Sequence, residues 1–225
     1  MTDTQADSLE ITLGEIRRGD PVQGYEPVVV ASSRGEMHFR YYPVAGAGRA
    51  AVFVGGTGGG WDSPGRGELY PRLCSELNEA GIAALRVCYR RPGELEESVL
   101  DVMAGLHFLG MQGVTRHAVV GHSFGGAVAA QAAANTDDVR ALVTIATQSQ
   151  ALDAVRALPE DCASLFIHGA DDPILPPSCS KYGYNLAREP RYLRIFGGAG
   201  HCLDEVADDL RQELREWLLG ELLAA

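Results

Sequence analysis

The fold of this chain is decided by residues 118–126, which read Ala-Val-Val-Gly-His-Ser-Phe-Gly-Gly. An apolar run ends at Val120, and a helix-forming stretch follows at residues 127–134. The pattern Gly-x-Ser-x-Gly between a strand and a helix indicates a sharp turn, where side chains two residues either side of the serine would collide with backbone. Such a turn lifts the Ser123 hydroxyl to the amino end of a helix, whose dipole favours developing negative charge. The stretch therefore predicts a nucleophilic serine, with a tight turn and an incidental serine as the structural alternative.

Short apolar runs alternate with helical patterns along the chain. The runs are residues 50–54, 82–87, 118–120, 141–146, 165–167 and 192–196. Runs of this length are typical of strands that are covered on both faces of a sheet. Because segments with apolar residues at helical spacing separate them, we predict an α/β fold with a mostly parallel central sheet and helices on both faces. Upstream, residues 28–31 and 37–42 predict an antiparallel hairpin.

Length, charge and cysteine content narrow the class of protein. A length of 225 residues favours a single domain, 1–225, in which residues 1–20 are expected to be a loosely ordered N-terminal segment. The net charge of −11 argues against nucleic-acid binding, and no apolar run reaches the length of a membrane span. The polar first ten residues do not resemble a secretory signal. Five widely spaced cysteines indicate neither a disulfide framework nor a zinc site, so we expect reduced thiols and a cytoplasmic location.

A serine hydroxyl becomes a good nucleophile only when a neighbouring base takes its proton. His201 is the one histidine of six that lies in a glycine-rich loop between the last apolar run and the final helical pattern. For the acid that orients the base, Asp171 and Asp172 both follow the penultimate run, and Asp153 follows the run before it. His168, at the end of a run, is expected to have a structural role or to lie behind the site. Residue types and positions alone leave the choice among the three aspartates open.

These segments resemble the α/β-hydrolase superfamily, and most closely its compact dienelactone-hydrolase-like and small esterase branches. The resemblance covers about residues 28–219 and rests on Gly-His-Ser-Phe-Gly-Gly, on His-Gly-x-x-Asp at residues 168–172 and on the loop that carries His201. It implies a catalytic triad of Ser123, Asp172 and His201, in the chain order that this fold uses. Asp172 would accept the second imidazole N–H and stabilise the imidazolium. Dienelactone hydrolases proper have a cysteine nucleophile, so the serine here leaves the substrate class open.

The resemblance also implies an oxyanion hole. Residues 55–61, Gly-Gly-Thr-Gly-Gly-Gly-Trp, stand where relatives have His-Gly-x, so the backbone N–H donors would be those of Thr57 and Phe124. A phosphate-binding loop is the alternative, but no Lys-Ser/Thr follows the glycines and the dinucleotide fingerprint is incomplete. Residues 147–162 leave room for only one short helix, which predicts a shallow, open site without a cap domain.

The expected activity is cleavage of a small carboxylic ester by Ser123 through an acyl-enzyme intermediate, with no metal or organic cofactor. Thioester and lactone hydrolysis use the same groups and remain alternatives, as does a hydrolase-fold binding protein with little turnover. A small-molecule substrate is the expected partner, rather than nucleic acid or a membrane; the oligomeric state stays open. Trp61 and Arg90 are candidate substrate-pocket residues, since a guanidinium can hold a substrate carboxylate. Pairing of Arg90 with the glutamates at 94, 96 and 97 is the structural alternative.

Overall fold

The computed structural model describes residues 10–224. The strands are β1 (Leu13–Arg18), β2 (Glu26–Ser32), β3 (Met37–Tyr42), β4 (Arg49–Val54), β5 (Ala83–Cys88), β6 (Arg116–His122), β7 (Val139–Ile145), β8 (Ala163–Gly169) and β9 (Arg191–Phe196). The α-helices are α1 (Leu69–Glu79), α2 (Leu95–Met111), α3 (Phe124–Ala134), α4 (Ser178–Leu186) and α5 (Ala207–Leu223). Two short 3₁₀ helices span Leu152–Ala157 and Asp204–Val206.

Within residues 10–224, all nine strands belong to one sheet in the order β1-β2-β3-β5-β4-β6-β7-β8-β9. The pairs β1–β2, β2–β3 and β3–β5 are antiparallel, and the pairs from β5 through β4 to β9 are parallel. The predicted mostly parallel sheet and the predicted N-terminal hairpin are therefore confirmed. Because parallel neighbours align, the carboxyl ends of β4, β6, β7 and β8 open onto the same edge, where ligands bind in such sheets.

Helices cover both faces of the sheet, which explains the continuous apolar runs in the sequence. On β4, Val52 and Val54 pack into the core beneath α2 and α3, whereas Ala51 and Phe53 pack into the core beneath α1 and α5. Successive side chains of a strand point to opposite faces of the sheet. In a strand that is buried on both faces, nearly every position is therefore apolar.

The expectation of a loosely ordered segment over residues 1–20 is wrong for residues 13–18, which form β1 at the edge of the sheet. Ile16 pairs with Val30, and Leu13 and Ile16 pack partly buried against the core. An edge strand has one neighbour and one covered face, so a few apolar residues in a polar stretch are sufficient for it. Residues 1–9 of the predicted segment lie outside the described residues.

The connection from β7 to β8 contains only the 3₁₀ helix Leu152–Ala157, so the expected absence of a cap domain agrees with the architecture. Within residues 10–224, no helix combines the length and the apolar character that crossing a membrane requires.

Candidate active site

Ser123 lies at the sharp turn between β6 and α3. Its backbone has φ 56° and ψ −121°, a left-handed φ that costs energy for any residue with a side chain. The Ser123 N–H donates to the Ile145 carbonyl at 2.8 Å, and the Gly126 N–H donates to the Ser123 carbonyl at 3.0 Å. These hydrogen bonds hold the strained residue in place between strand and helix.

The glycines that flank Ser123 are required by close backbone contact. A Cβ on Gly121 would lie 1.9 Å from the Gly125 carbonyl oxygen, and a Cβ on Gly125 would lie 2.3 Å from the Gly55 carbonyl oxygen. Both obstacles are main-chain atoms, which cannot rotate aside as a flexible side chain can. The local steric argument made from Gly-x-Ser-x-Gly therefore corresponds to the observed packing.

We expect Gly121→Ala to destabilise the protein by at least about 3 kcal/mol, because the new methyl group overlaps backbone atoms and a buried strand has to shift. Gly110→Ala is the matched control: Gly110 lies in α2, and nothing would lie within 4 Å of its added Cβ. That control should be neutral or stabilising by up to about 1 kcal/mol, since alanine favours a helix. Urea unfolding of both variants checks the prediction, and equal midpoints would contradict it.

Ser123, His201 and Asp172 form one hydrogen-bonded chain. The His201 Nε2 atom lies 3.0 Å from the Ser123 Oγ atom, and the His201 Nδ1 atom lies 2.7 Å from Asp172 Oδ2. The N–H groups of Ile174 and Leu175 donate to Asp172 Oδ1 at 2.8 and 3.0 Å. Burial raises the pKa of Asp172, but the Leu175 N–H, the His201 side chain and the Ile174 N–H outweigh it and hold that pKa below its ordinary value of 3.8. The ionised carboxylate accepts the Nδ1 proton, which leaves the Nε2 lone pair facing the serine hydroxyl.

The rival aspartates lie elsewhere. Asp171 is exposed, and its backbone N–H donates to the Ala199 carbonyl at 3.0 Å. Asp153 accepts a hydrogen bond from the Tyr182 hydroxyl at 2.8 Å. Of the three aspartates left open by the residue pattern, the tertiary structure brings Asp172 to His201.

His168 contacts the Asp172 carboxylate. In the sequence, the only signal for this contact is that the two residues are four positions apart. The His168 Nε2 atom lies 2.9 Å from the Leu175 carbonyl oxygen and 3.2 Å from Asp172 Oδ2. Both of these oxygens are acceptors, so Nε2 carries the proton, and Nδ1, 2.7 Å from the Ser180 Oγ atom, accepts. The Asp172 carboxylate therefore faces an N–H group of His168 as well as one of His201.

His122 holds the backbone of the loop that carries His201. The His122 Nε2 atom lies 3.1 Å from the His201 carbonyl oxygen, and the two imidazole rings lie 4.9 Å apart between their centroids. This contact positions His201 through its backbone and does not involve the imidazole nitrogens that transfer the proton. The position of His122 next to Ser123 in the sequence gave no sign of the contact.

Three buried histidines predict loss of stability in mild acid. Burial is the largest influence on His117, His122 and His168, and it lowers the pKa of each below the ordinary value of 6.5. As the pH falls through about 6.5, the unfolded chain binds protons that the folded chain does not bind, so stability decreases toward the lower folded pKa values. Each group contributes at most about 1.4 kcal/mol per pH unit.

We therefore expect the Tm to fall between pH 7 and pH 5, and His117→Leu to flatten that dependence. His38→Gln, which changes an exposed histidine, is the control. A series of thermal unfolding curves across this pH range measures the slope, and the same slope for His117→Leu and wild type would argue against the proposed cause.

The glycine-rich loop after β4 lies against the nucleophile. A Cβ on Gly56 would lie 3.6 Å from the Ser123 Cβ atom, and Thr57 is the next residue. Phe124 is the first residue of α3, so its N–H has no partner in that helix. No hydrogen bond of residues 10–224 uses the N–H of Thr57 or of Phe124. Both groups remain available to donate to a substrate oxygen, and their assignment to an oxyanion hole stays a prediction.

The suggestion that Arg90 lines a substrate pocket is wrong. Its side chain is 5% exposed, and its guanidinium forms ion pairs with Glu97, at 2.9 Å, and with the fully buried carboxylate of Asp101. It also donates to the Arg34 carbonyl at 2.9 Å. The guanidinium donors are therefore occupied by acceptors of the protein itself. This is a structural role, because a buried charge is costly unless it is paired and hydrogen-bonded.

Trp61 ends the glycine-rich loop and is held there by two arginines. The Arg40 guanidinium lies 4.3 Å from the centroid of the half-buried indole, and Arg86 donates to the Trp61 carbonyl. Trp61 remains a candidate pocket residue. Among residues 10–224, no group of three or more His, Cys, Asp or Glu side chains is arranged to hold a metal ion.

Several solved structures share this architecture. A dienelactone hydrolase from Anabaena variabilis superposes with a TM-score of 0.74 at 18% identity, covering 93% of this chain and 100% of its own. Est1E from Butyrivibrio proteoclasticus has a TM-score of 0.73 at 16% identity, covering 94% and 100%. An α/β serine hydrolase without a lid, from Xanthomonas campestris, has a TM-score of 0.72 at 19% identity, covering 92% and 100%. The chain has the α/β-hydrolase fold.

At the level of sequence, no family model matches this α/β-hydrolase-fold chain, and no curated protein matches it significantly. At identities of 16–19%, the structural likeness establishes the fold and leaves the activity to be argued from the site itself.

Proposed function

We propose that this protein is a serine hydrolase that cleaves small carboxylic esters through an acyl-enzyme intermediate. The observation that carries the proposal is the hydrogen-bonded chain from Ser123 through His201 to Asp172, with distances of 3.0 and 2.7 Å. Nucleophile, base and orienting acid in this geometry are the arrangement that acyl transfer requires. Several proteins of the same fold are described as hydrolases or esterases, which supports a hydrolytic role.

In the proposed first step, the Ser123 Oγ atom attacks the ester carbonyl carbon while its proton passes to His201 Nε2. Asp172 stabilises the imidazolium, and the N–H groups of Thr57 and Phe124 donate to the carbonyl oxygen as it becomes an anion. Each such donor contributes about two to three orders of magnitude to kcat in other enzymes. The tetrahedral intermediate then expels the alcohol, which takes the proton from His201, and leaves the acyl group on Ser123.

In the second step, His201 removes a proton from water, which attacks the acyl carbon of the acyl-enzyme. The acid leaves, and Ser123 recovers its proton from the imidazolium. The short β7–β8 connection carries no cap, so small substrates reach Ser123 from solvent. Est1E, which shares the fold, has been solved with ferulic acid bound, and this is consistent with an open site that receives small carboxylic acids or their esters.

A fluorophosphonate probe tests the proposal directly. We expect covalent labelling of the wild-type protein, with the label located on the peptide that contains Ser123. A panel of p-nitrophenyl esters of increasing acyl length, with matched thioesters and lactones, then ranks the substrate classes by kcat/KM. An unlabelled protein without turnover would favour a binding role. A much larger kcat/KM for lactones or thioesters than for esters would identify that class as the substrate instead.

A further inference from the structure

Residues 89–92, here called the β5 loop, follow β5 and pack against the glycine-rich loop that follows β4. The Tyr89 hydroxyl donates to the Gly55 carbonyl at 3.2 Å. A Cβ on Gly59 would lie 2.4 Å from Pro92 Cγ, so the proline ring lies directly against that glycine. Thr57, whose N–H is one of the two proposed oxyanion donors, lies between these two contacts in the sequence.

Tyr89 also contacts the segment that carries the other proposed donor, Phe124. The two aromatic rings meet edge to face, with centroids 5.9 Å apart and planes at 82°, which is a favourable arrangement. A Cβ on Gly125 would lie 3.1 Å from the Tyr89 hydroxyl oxygen, so the hydroxyl is close to the first turn of α3. One side chain, in a residue that is 5% exposed, therefore touches both of the segments that carry the proposed donors.

The β5 loop is itself fixed to α2 by buried charges. The Arg90 N–H donates to Asp101 Oδ2 at 2.8 Å, and the Arg90 guanidinium pairs with Asp101 and, at 2.9 Å, with Glu97. Both of these acidic residues are buried. Breaking a buried pair leaves an uncompensated charge, which is strongly unfavourable, so the helix holds the loop in one position.

Gly55 depends on this support because it lies one residue past the end of β4. Val54, the last residue of the strand, pairs with β5 on one side and with β6 on the other. The Tyr70 hydroxyl donates to the Val54 carbonyl at 3.1 Å, but the sheet already holds that residue. In the sheet that residues 10–224 form, Gly55 has no paired residue in either neighbouring strand, so the contact with Tyr89 has more influence on its orientation.

We propose that Tyr89 is a positioning residue for the oxyanion hole and that the β5 loop sets the direction of the Thr57 N–H. The Gly55 carbonyl fixes the plane of the peptide between residues 55 and 56, and the next peptide carries the Thr57 N–H. A misaligned N–H forms a much weaker hydrogen bond. Burial raises the pKa of the Tyr89 hydroxyl well above its ordinary value of 10, so the hydroxyl stays a donor at neutral pH. The inference rests on the proposed ester hydrolysis by Ser123 and on the oxyanion donors proposed with it.

Tyr89→Phe tests the inference, because it removes the hydroxyl and keeps the ring against Phe124. On a p-nitrophenyl ester we expect kcat to fall by at least about tenfold and KM to stay within about threefold of wild type, since the donors act on the transition state. A trifluoromethyl ketone reports on the oxyanion hole separately. Ser123 Oγ bonds to its carbonyl carbon, the serine proton passes to His201, and the carbonyl oxygen becomes an anion. Its inhibition constant should rise by about the factor by which kcat falls.

Tyr70→Phe is the matched control. It removes the same kind of hydrogen bond to the neighbouring carbonyl, from a residue that is 1% exposed. Because the sheet holds Val54, kcat and the inhibition constant should stay within about threefold of wild type. Thermal unfolding verifies that both variants fold. If Tyr89→Phe does not fold, Pro92→Ala replaces it, since Pro92 is exposed; kcat should then fall by at least about threefold, and an unchanged kcat would overturn the inference.

The outcomes separate the two proposals. Equal losses of kcat in Tyr89→Phe and Tyr70→Phe would indicate a general loss of structure and would overturn the inference. A kcat for folded Tyr89→Phe within about threefold of wild type would do the same, as would a fall in kcat without weaker inhibition by the ketone. Each of these results leaves the serine hydrolase intact. If the wild type neither hydrolyses the ester nor reacts with the fluorophosphonate, both proposals fail.

Discussion

Ser123→Ala is expected to lower kcat for ester hydrolysis by about 10⁵-fold or more, because the variant has no atom that can form the acyl-enzyme. The residual rate should remain about 10³-fold above the uncatalysed reaction, since binding and the oxyanion donors are still present. Alanine has to adopt the same φ of 56°, so the strain at the turn is unchanged and the variant should fold as the wild type does.

Single-turnover and steady-state kinetics on a p-nitrophenyl ester measure this effect, with far-UV circular dichroism to verify folding. Ser75→Ala is the matched control, since Ser75 lies exposed on α1 and its hydroxyl bonds only to the Pro71 carbonyl within the same helix. A folded Ser123→Ala variant with activity within about tenfold of wild type would exclude this serine as the nucleophile.

Asp172→Asn is expected to lower kcat by about 10⁴-fold while leaving KM nearly unchanged. The asparagine amide can place an N–H group where the carboxylate oxygen accepted the Nδ1 proton, and the imidazole then holds its proton on Nε2, facing Ser123. In that tautomer His201 cannot act as a base. Because the pKa of Asp172 is held below 3.8, the wild-type carboxylate is ionised at every pH above about 5.

The neighbouring residue provides the control for this prediction. Asp171→Asn removes the adjacent exposed carboxylate and should keep kcat within about twofold of wild type. Measuring kcat and KM for both variants between pH 6 and pH 9 distinguishes them. A larger loss of kcat in Asp171→Asn than in Asp172→Asn would contradict the assignment of Asp172 as the acid, which rests on its 2.7 Å hydrogen bond to His201.

The contribution of the Asp172 carboxylate to the stability of the fold also depends on pH. An aspartate whose folded pKa is depressed contributes stability above its unfolded pKa and loses that contribution as the pH falls through the folded value. The Asp172 contribution is thus retained at neutral pH and is lost as the pH falls through a folded pKa below 3.8.

Some features were predictable because their cause is local. The turn at Ser123 follows from glycines whose absent side chains make room for neighbouring backbone, so the requirement appears at a constant spacing in the sequence. The inner strands appear as unbroken apolar runs because both of their faces are buried. Strand β1 was missed because an edge strand with one covered face requires only a few apolar residues, and Leu13 and Ile16 did not stand out in a polar stretch.

Other features depend on which side chains meet, and a linear pattern does not specify that. Arg90 had the residue type of a carboxylate binder, yet it is enclosed by Glu97 and Asp101 and serves the structure. His122 is next to Ser123 in the sequence, yet its ring contacts the distant His201 carbonyl oxygen, at 3.1 Å from Nε2.

The sequence by itself therefore determined the order of strands and helices, the strained serine turn and the edge of the sheet at which chemistry is expected. These follow from steric exclusion and from hydrophobic periodicity, which act between residues close in the chain. Only the tertiary structure decided that Asp172 rather than Asp171 faces His201, that His168 donates to the same carboxylate, and that His122 contacts the His201 carbonyl. Hydrogen bonds between distant loops depend on distances of tenths of an ångström, which are set when those loops pack together and are not encoded by spacing along the chain.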